Sequence, residues 1–430
     1  MPSHAVRLRI ERLSYGPAGV GRSGGKVIFV PGTAPGDDVD VVIDKEKKSY
    51  ARGHVVSLLR ASPNRREPPC PYVERCGGCP WQHLSYAAQI AEKENLVREQ
   101  LRRIGGITDP PILPILPAQS EWHYRQRIRL HVDDHAHLGF VQPRSQTLVE
   151  IDACLIAGTE NTEHLRVVKA WLSSLQTTLR AVEIVSSEAP RSARRIVLLA
   201  DAVGAFQPGD ELHCPQLLQT EPSVAGVLLR GEGWQRVWGE VSISCDLGVD
   251  ALVLTVTQGT FTQVNPAGNR MLIATLLRLG AFHPSQRVVE LYCGAGNLSL
   301  PLARRVRSLI GIEESRDAVA DAKRNAVRAG IQNIRFVQAS ALVGVQNLLG
   351  RGTRSETIVL DPPRGGAAEV IDLLPRFGAS QIVYVSCDPA TLARDLRRLH
   401  GHGYRLQAVQ PIDLFPQTYH VETIVRCVLT

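Results

Sequence analysis

The 430-residue chain carries 49 Lys and Arg against 42 Asp and Glu, a formal charge of +7, and 44% of its residues are hydrophobic. That length exceeds what one hydrophobic core usually supports, so two or three domains are expected, and no apolar run is long enough to cross a bilayer. Nine cysteines are too sparse for a secreted disulfide scaffold; they point to a reducing compartment, hence a cytoplasmic location, and to individual roles for thiols.

Residues 1–66 hold twelve basic and six acidic residues, so the excess charge sits at the N-terminal end. It reads either as a polyanion contact or as a solvated basic surface. The segment MPSHAVRLRIER has no apolar h-region of a signal peptide. Through residue 62, short alternating runs (VRLRIERLSY, KVIFV, DVDVVID, ARGHVVSLL) are broken by GPAGVGRSGG and PGTAPGDD, the pattern of a small all-β barrel. SPNRREPPCP (62–71) has four prolines and reads as a linker.

From Tyr86 to Ile104 the sequence predicts an amphipathic helix, ended by Gly105-Gly106. Residues 122–260 contain strand-like runs (HYRQRIRLHV, RRIVLLAD, AGVLLRG, LVLTVTQG) and one helical piece near 159–180, so a mostly β central domain over 63–260 is expected. Within it, Arg125 and Arg127 alternate on the strand that opens the run and could grip phosphates, or could simply be solvated.

Residues 261–430 change character: seven strand-like runs alternate with helical patterns such as SRDAVADAKRNAVRAG. That alternation implies an α/β, Rossmann-like domain with a mainly parallel sheet covered on both faces.

In this domain a strand from Glu290 enters the Gly-rich turn Tyr292-Cys-Gly294-Ala-Gly296-Asn297, and a second strand ends at Glu313. The turn lets backbone approach a ligand, and the carboxylate stands where it can bind both ribose hydroxyls. An acidic residue at 290 and the absence of a third glycine at Ser299 favour S-adenosylmethionine over a dinucleotide. Asp361-Pro-Pro-Arg364 follows the fourth strand, its prolines stiffening a corner that holds the carboxylate.

The fifth strand delivers Cys387 at the sheet's carboxyl edge, just before a helix, where its pKa is expected to fall. Carbon 5 of uracil is too weak a nucleophile to take a methyl group unaided. A thiolate adding to carbon 6 makes an enolate that activates it. The carbon 5 proton must then leave to a general base, and DLFPQTYHVET (413–423) offers His420 and Glu422, of which Glu422 is the choice.

Cys70, Cys76 and Cys79 lie in one short loop, and Cys154 completes four thiols. Four thiolates suit zinc or an iron–sulphur cluster equally. Cys214, Cys245, Cys293 and Cys427 lack polar company and read as small buried hydrophobes.

The runs FTQVN (261–265), LYCGAGN (291–297), LDPPR (360–364), SCDPATLARDL (386–396) and DLFPQTYHVET resemble the uracil-5 RNA methyltransferase family. The resemblance is to its iron–sulphur branch, which modifies 23S ribosomal RNA. It extends to residues 1–62, which look like a TRAM domain, an OB-like RNA-binding barrel.

By that similarity Cys387 is the nucleophile and Glu422 the base. Gln263, Tyr292, Gly294, Gly296, Asn297, Glu313, Ser340 and Asp361 are implied to contact S-adenosylmethionine, although Tyr292 replaces a frequent Phe and Ser340 a usual Asp or Asn. Phe261 is implied to lie near the target base, while Arg125 and Arg127 are candidates for RNA contact by their alternation alone. CGGCPWQHLSY (76–86) matches the family's [4Fe–4S] motif, which turns the choice for Cys70, Cys76, Cys79 and Cys154 to that cluster.

A monomer acting on RNA, without a membrane, is the expectation. The alternatives are a transfer RNA uridine-5 methyltransferase, a base-nitrogen methyltransferase, which needs no thiol, and a catalytically silent RNA-binding or ribosome-assembly protein with a structural metal.

Overall fold

The computed structural model describes residues 5–188, 196–257 and 259–430. The Arg194-Arg195 start of the RRIVLLAD run, Gln258 and the first four residues lie outside the described residues.

Five strands, β1 (Val6–Leu13), β2 (Ala18–Ser23), β3 (Lys26–Pro31), β4 (Asp38–Glu46) and β5 (Tyr50–Arg60), close into a barrel in the order β1-β2-β3-β5-β4. Their alternate residues Leu8, Ile10, Ile28, Val30, Val39, Val41 and Ala51 fill it, as a period of two requires. The Gly-Pro cluster that sequence reads as a break is in fact β2. Its glycines are there for closeness: a Cβ on Gly19 would stand 2.1 Å from Thr33 Oγ1, and one on Gly21 2.7 Å from Arg9 O.

The linker is pinned to the fold. Arg65 donates to both carboxylate oxygens of buried Asp37, and Arg66 to Gln82 O, Glu121 and Gln417. Helix α1 (Tyr86–Arg103) starts at Ser85, whose hydroxyl caps Ala88 N, and buries Val97 and Leu101 against the C-terminal domain.

The central domain is a seven-stranded sheet of β6 (Arg127–Val132), β7 (Leu138–Val141), β8 (Leu148–Glu150), β9 (Leu179–Ser186), β10 (Ile196–Ala202), β11 (Val224–Gly231) and β12 (Trp234–Gly239), ordered β12-β11-β10-β9-β6-β7-β8. Helices α2 (Thr159–Glu163), α3 (Leu165–Ser174) and α4 (Asp210–Thr220) accompany it, so it is more helical than expected. The helical piece near 159–180 is a broken pair that stops at Ser174, and α4 is masked in sequence by Pro215 within it.

A hairpin of β13 (Ile243–Asp246) and β14 (Val253–Val256) packs with α5 (Pro266–Gly280) into the core of the C-terminal domain: Ile243, Leu254, Val256, Leu272 and Ile273 share it. That domain's packing thus begins before residue 261.

The rest follows as β15 (Arg287–Leu291), α6 (Ser299–Ala303), β16 (Ser308–Glu313), α7 (Arg316–Arg328), β17 (Ile334–Gln338), α8 (Ala341–Gly350), β18 (Thr357–Leu360), β19 (Gln381–Ser386), α9 (Pro389–Gly401), β20 (Tyr404–Ile412) and β21 (Glu422–Leu429). The sheet order is β17-β16-β15-β18-β19-β21-β20, with β21 antiparallel to both neighbours. The connections leave β15 toward β16 on one side and arrive at β18 on the other. Such a reversal opens a crevice beyond the carboxyl ends of the strands.

Between β20 and β21, residues 413–421 cross that crevice and are held from outside. Lys93 of α1 contacts Asp413 at 2.6 Å with both side chains 0% exposed, and also donates to Phe415 O. Tyr86 donates to Asp413 Oδ2, while Gln89 and Arg66 bind Gln417, which has φ +70°. Lys93→Met should leave Asp413 an uncompensated buried charge and lower stability by about 3–5 kcal/mol, read as a fall in the urea midpoint.

Candidate active site

The crevice is a cavity of about 1140 Å³. At its β15 end the backbone turns through three left-handed residues, Tyr292 (φ +62°), Gly294 (+54°) and Gly296 (+98°). A Cβ on Gly294 would meet no atom within 4 Å, so the turn is open above it. Gly294 N donates to Glu313 Oε2 at 3.0 Å and Ser315 N to Oε1 at 2.8 Å, fixing the carboxylate at the end of β16.

Tyr292, Gly294, Asn297, Glu313, Asp361, Gln263 and Phe261 all line this cavity, Phe261 with 70% of its surface exposed. The open turn and the fixed carboxylate fit a ligand that carries a ribose diol.

Other expected contacts are used differently. Ser340 caps α8 by accepting from Val343 N, and its neighbours Ala339 and Ala341 line the cavity instead. Asn297 exchanges a pair of 2.8 Å amide hydrogen bonds with Asn269 of α5, so its side chain ties the turn to that helix. Gly296 shapes the turn and does not face the cavity. The side chain of Arg127, 15% exposed, is committed to Glu183 and to the carbonyls of Gly259 and Thr260, which corrects its reading as an RNA-facing residue. Arg125 lines the cavity with its Nε buried and, among the described residues, without a partner.

At the β19 end Cys387 is half-buried on the same cavity. Its thiol is pushed up to about 12 by burial, then by Glu422 and Asp361, with Arg364 opposing. This reverses the expected lowering. Asp388 is the cap of α9 and accepts from Ala390 N and Thr391 N, so those donors of the helix terminus serve a carboxylate beside the thiol.

The backbone at this point is held by the barrel: Tyr15 Oη donates to Cys387 O at 3.1 Å, and its ring meets Tyr419 edge-on at 5.5 Å.

Glu422 opens β21, the strand paired with β19, one position beyond the Ser386–Thr423 pair, and lines the cavity with Cys387. It is buried, its Oε2 has no hydrogen-bond partner among the described residues, and burial followed by the charge of Asp361 pushes its carboxyl up to about 8. Burial likewise raises Asp361 to about 7 and Glu290 to about 8, Glu290 accepting from Ser299 at 2.6 Å. His420 lines the cavity, but burial and then Arg364 pull it down to about 4, so it is a neutral imidazole at physiological pH.

Cys70, Cys76, Cys79 and Cys154 are free thiols lining one small cavity of about 20 Å³. Burial raises Cys76, Cys79 and Cys154, and the thiols also raise one another. Among the described residues no group of three or more His, Cys, Asp or Glu is arranged to hold a metal ion, so the sulfurs surround the cavity without closing on it. In kind, a set of four thiols fits an iron–sulphur cluster or zinc. Gly77, Gly78 and Pro80 of the same loop line the larger cavity. That adjacency, like the part played by Tyr15 and Arg230 at the cavity, has no signature in local sequence.

The three raised carboxyls make stability depend on pH. Each has a folded-state pKa above its unfolded value of about 4, so the unfolded chain binds fewer protons between the two. The stabilisation is complete below about pH 4 and is lost as pH rises through 7 to 8. Thermal stability without ligand should therefore fall between pH 5 and 8.5, and Glu422→Gln should flatten that fall, as a melting series across pH would read.

The tRNA (uracil-5-)-methyltransferase family model matches residues 243–428, and a TRAM domain model matches residues 4–56. A 23S rRNA (uracil(1939)-C(5))-methyltransferase of Thiobacillus denitrificans is 34% identical over 96% of this chain and 98% of its own length. An uncharacterised RNA methyltransferase of Halalkalibacterium halodurans is 33% identical over 97% and 96%. Among solved structures, the tRNA (uracil-54, C5)-methyltransferase of Pyrococcus abyssi, in complex with S-adenosyl-L-homocysteine, shares the fold. Its TM-score is 0.74 at 23% identity, covering 98% of this chain and all of that one. With the five-stranded barrel, the crevice and these relatives together, the chain belongs to the tRNA (uracil-5-)-methyltransferase family and is an S-adenosylmethionine-dependent RNA uracil-C5 methyltransferase with an N-terminal TRAM domain.

Proposed function

We propose that the chain methylates carbon 5 of a uridine in 23S ribosomal RNA through a covalent adduct between Cys387 and carbon 6, with Glu422 removing the carbon 5 proton. The observation that carries this reading is the pair itself: a thiol and a buried carboxylate, whose Oε2 has no hydrogen-bond partner among the described residues, at the ends of neighbouring strands that line one cavity. The assignment to 23S ribosomal RNA is supported by the activity named for the Thiobacillus denitrificans relative.

Bound S-adenosylmethionine supplies an electrophilic methyl on a sulfonium; Gly294, Glu313, Tyr292, Gln263 and Asp361 would hold it. Cys387 and Glu422, both protonated at rest, lose their protons to solvent water before the Cys387 sulfur bonds to carbon 6, and the electron pair of the 5,6 double bond moves onto carbon 5 and the carbonyl at carbon 4. Once carbon 5 bears its methyl group, Glu422 takes the remaining proton, the double bond re-forms and the Cys387 sulfur leaves. A carboxyl titrating near 8 is matched to receive that proton and release it again. Base flipping brings carbon 5 into the cavity, and Phe261 and Arg125 on its wall face the entering nucleotide.

We further propose that Cys70, Cys76, Cys79 and Cys154 hold a [4Fe–4S] cluster. Their convergence on one cavity supports it, and with four protein ligands the cluster would order the loop whose Gly77 and Gly78 line the RNA cavity, without entering the reaction.

The deciding experiment incubates the protein and S-adenosylmethionine with unmodified ribosomal and transfer RNA in parallel and quantifies nucleosides by mass spectrometry. The expected outcome is 5-methyluridine in 23S ribosomal RNA, abolished in Cys387→Ala. Product in transfer RNA alone would overturn the substrate, and an active Cys387→Ala would overturn the covalent route.

Glu422→Gln should transfer the methyl group yet stall release, leaving an RNA adduct that survives denaturing electrophoresis; complete turnover by that variant would remove Glu422 from the mechanism. Protein prepared without oxygen should contain about four iron and four sulfide per chain. Cys154→Ser should lower both, while zinc in their place would refute the cluster.

A further inference from the structure

Five charged side chains on one face of the central sheet form a continuous ladder. Arg127 Nε donates to Glu183 Oε2 at 2.6 Å. Arg129 bridges Glu183 Oε1 at 2.9 Å and Asp201 Oδ2 at 2.5 Å. Arg230 Nε donates to Asp201 Oδ1 at 2.6 Å. The two carboxylates form the buried floor, while the side chains of Arg129 and Arg230 keep 42% and 38% of their surface exposed. Burial alone would raise Asp201, yet hydrogen bonds from Arg230 and Arg129 hold its carboxyl below the usual range, so the clamp stays ionised.

The two ends of the ladder differ. Arg127 spends its terminal nitrogens on Glu183 and on the carbonyls of Gly259 and Thr260. Arg230 spends only Nε. Among the described residues neither of its terminal nitrogens has an acceptor, and Arg230 lines the cavity beside Gly259, Thr260 and Phe261. A ladder that served only to tie strands would consume its guanidinium donors within the protein. This one ends in a fixed, half-used fork on the wall of the cavity that also contains Cys387 and Glu422. A guanidinium fork held by its Nε matches two oxygens of one phosphate.

We propose that Arg230, oriented by Asp201 and flanked by Arg129, is a phosphate seat for the RNA strand that enters the cavity, binding a phosphodiester next to the flipped nucleotide. The seat fixes the backbone while the cavity takes the base, the division of labour by which phosphate contacts position and base contacts specify. It rests on RNA being the substrate and is independent of the covalent route.

The test titrates full-length protein against a fluorescein-labelled oligouridylate by anisotropy over a salt series, comparing wild type with Arg230→Ala, Arg230→Lys and Asp201→Asn. S-adenosylmethionine affinity is measured alongside as the control for an intact fold. Arg230→Ala should weaken RNA binding roughly tenfold and reduce the slope of log K against log salt by about 0.7, the value for one phosphate on a single strand. Arg230→Lys should recover the slope but only part of the affinity, since it keeps the charge and loses the fork.

Asp201→Asn discriminates most sharply. It adds one net positive charge, so binding governed by charge alone would tighten, whereas a seat that depends on the clamp loosens. Unchanged RNA affinity and slope in Arg230→Ala, or tighter binding in Asp201→Asn, would reduce the ladder to a strand tie. If Asp201→Asn fails to fold, the comparison of Ala with Lys at 230 decides alone. Loss of RNA affinity in Arg230→Ala together with an active Cys387→Ala would sink the covalent route and leave the seat standing.

Discussion

Lys93 and Asp413 meet across 320 residues of sequence with no exposed surface on either side chain, and the geometry of the active site hangs from that contact. Desolvating two ions costs several kcal/mol each, which their attraction recovers only when the remaining donors and acceptors are also satisfied. Here they are: Asp413 accepts from Tyr86 and Phe415 N, and Lys93 donates to Phe415 O. A hydrophobic pair could hold two elements together at less expense, but it would slide. The ion pair specifies one register for residues 413–421, and that register decides where β21 begins and so where Glu422 stands.

The same loop is gripped along its whole length by residues remote from it in sequence. Trp81 N donates to Gln417 O, Gln89 Oε1 accepts from Gln417 N, and Tyr124 Oη donates to Pro416 O. Trp81 in turn donates through Nε1 to Gly16 O in the barrel and packs with Leu13, Ala34 and Leu84 in a small core that Tyr15 and Tyr419 flank. The barrel is therefore joined to the cavity lining twice through Tyr15, by its hydrogen bond to the carbonyl of Cys387 and by its ring contact with Tyr419, which packs on His420. A TRAM domain here is part of the frame of the active site as well as an RNA-binding module.

Electrostatics inside that frame run against the usual picture of an activated thiol. Glu290 and Glu422 are buried, and Asp361 and Cys387 half-buried, on one cavity, and desolvation leaves each favouring its neutral form. Arg364 acts against that rise at Cys387 and Glu422, and Arg125 and Arg230 line the same cavity. Such a site gains attraction for positive charge as its carboxyls ionise, which suits a sulfonium-bearing methyl donor.

Much of this was legible in the amino-acid sequence, because it is written in local pattern. Period-two alternation marked the barrel strands other than β2, and alternating strands and helices marked the parallel sheet. The runs around Gly294, Asp361, Cys387 and Glu422 marked four corners of one cavity, since each lies at a strand terminus where short-range chemistry is conspicuous.

What sequence could not determine depends on partners far away in the chain. Gly19 and Gly21 read as loop because the crowding that demands them comes from Thr33 and Arg9. Arg127 read as a surface cation because Glu183 lies 56 residues on. The Cys387 thiol read as acidic because the helix beyond it was visible, while the burial and the neighbouring carboxylates that raise it arise only on folding. Local propensity and motif spacing travel with the sequence; desolvation, ion pairing and the closing of a cavity are properties of the assembled chain, and those were decided by tertiary structure alone.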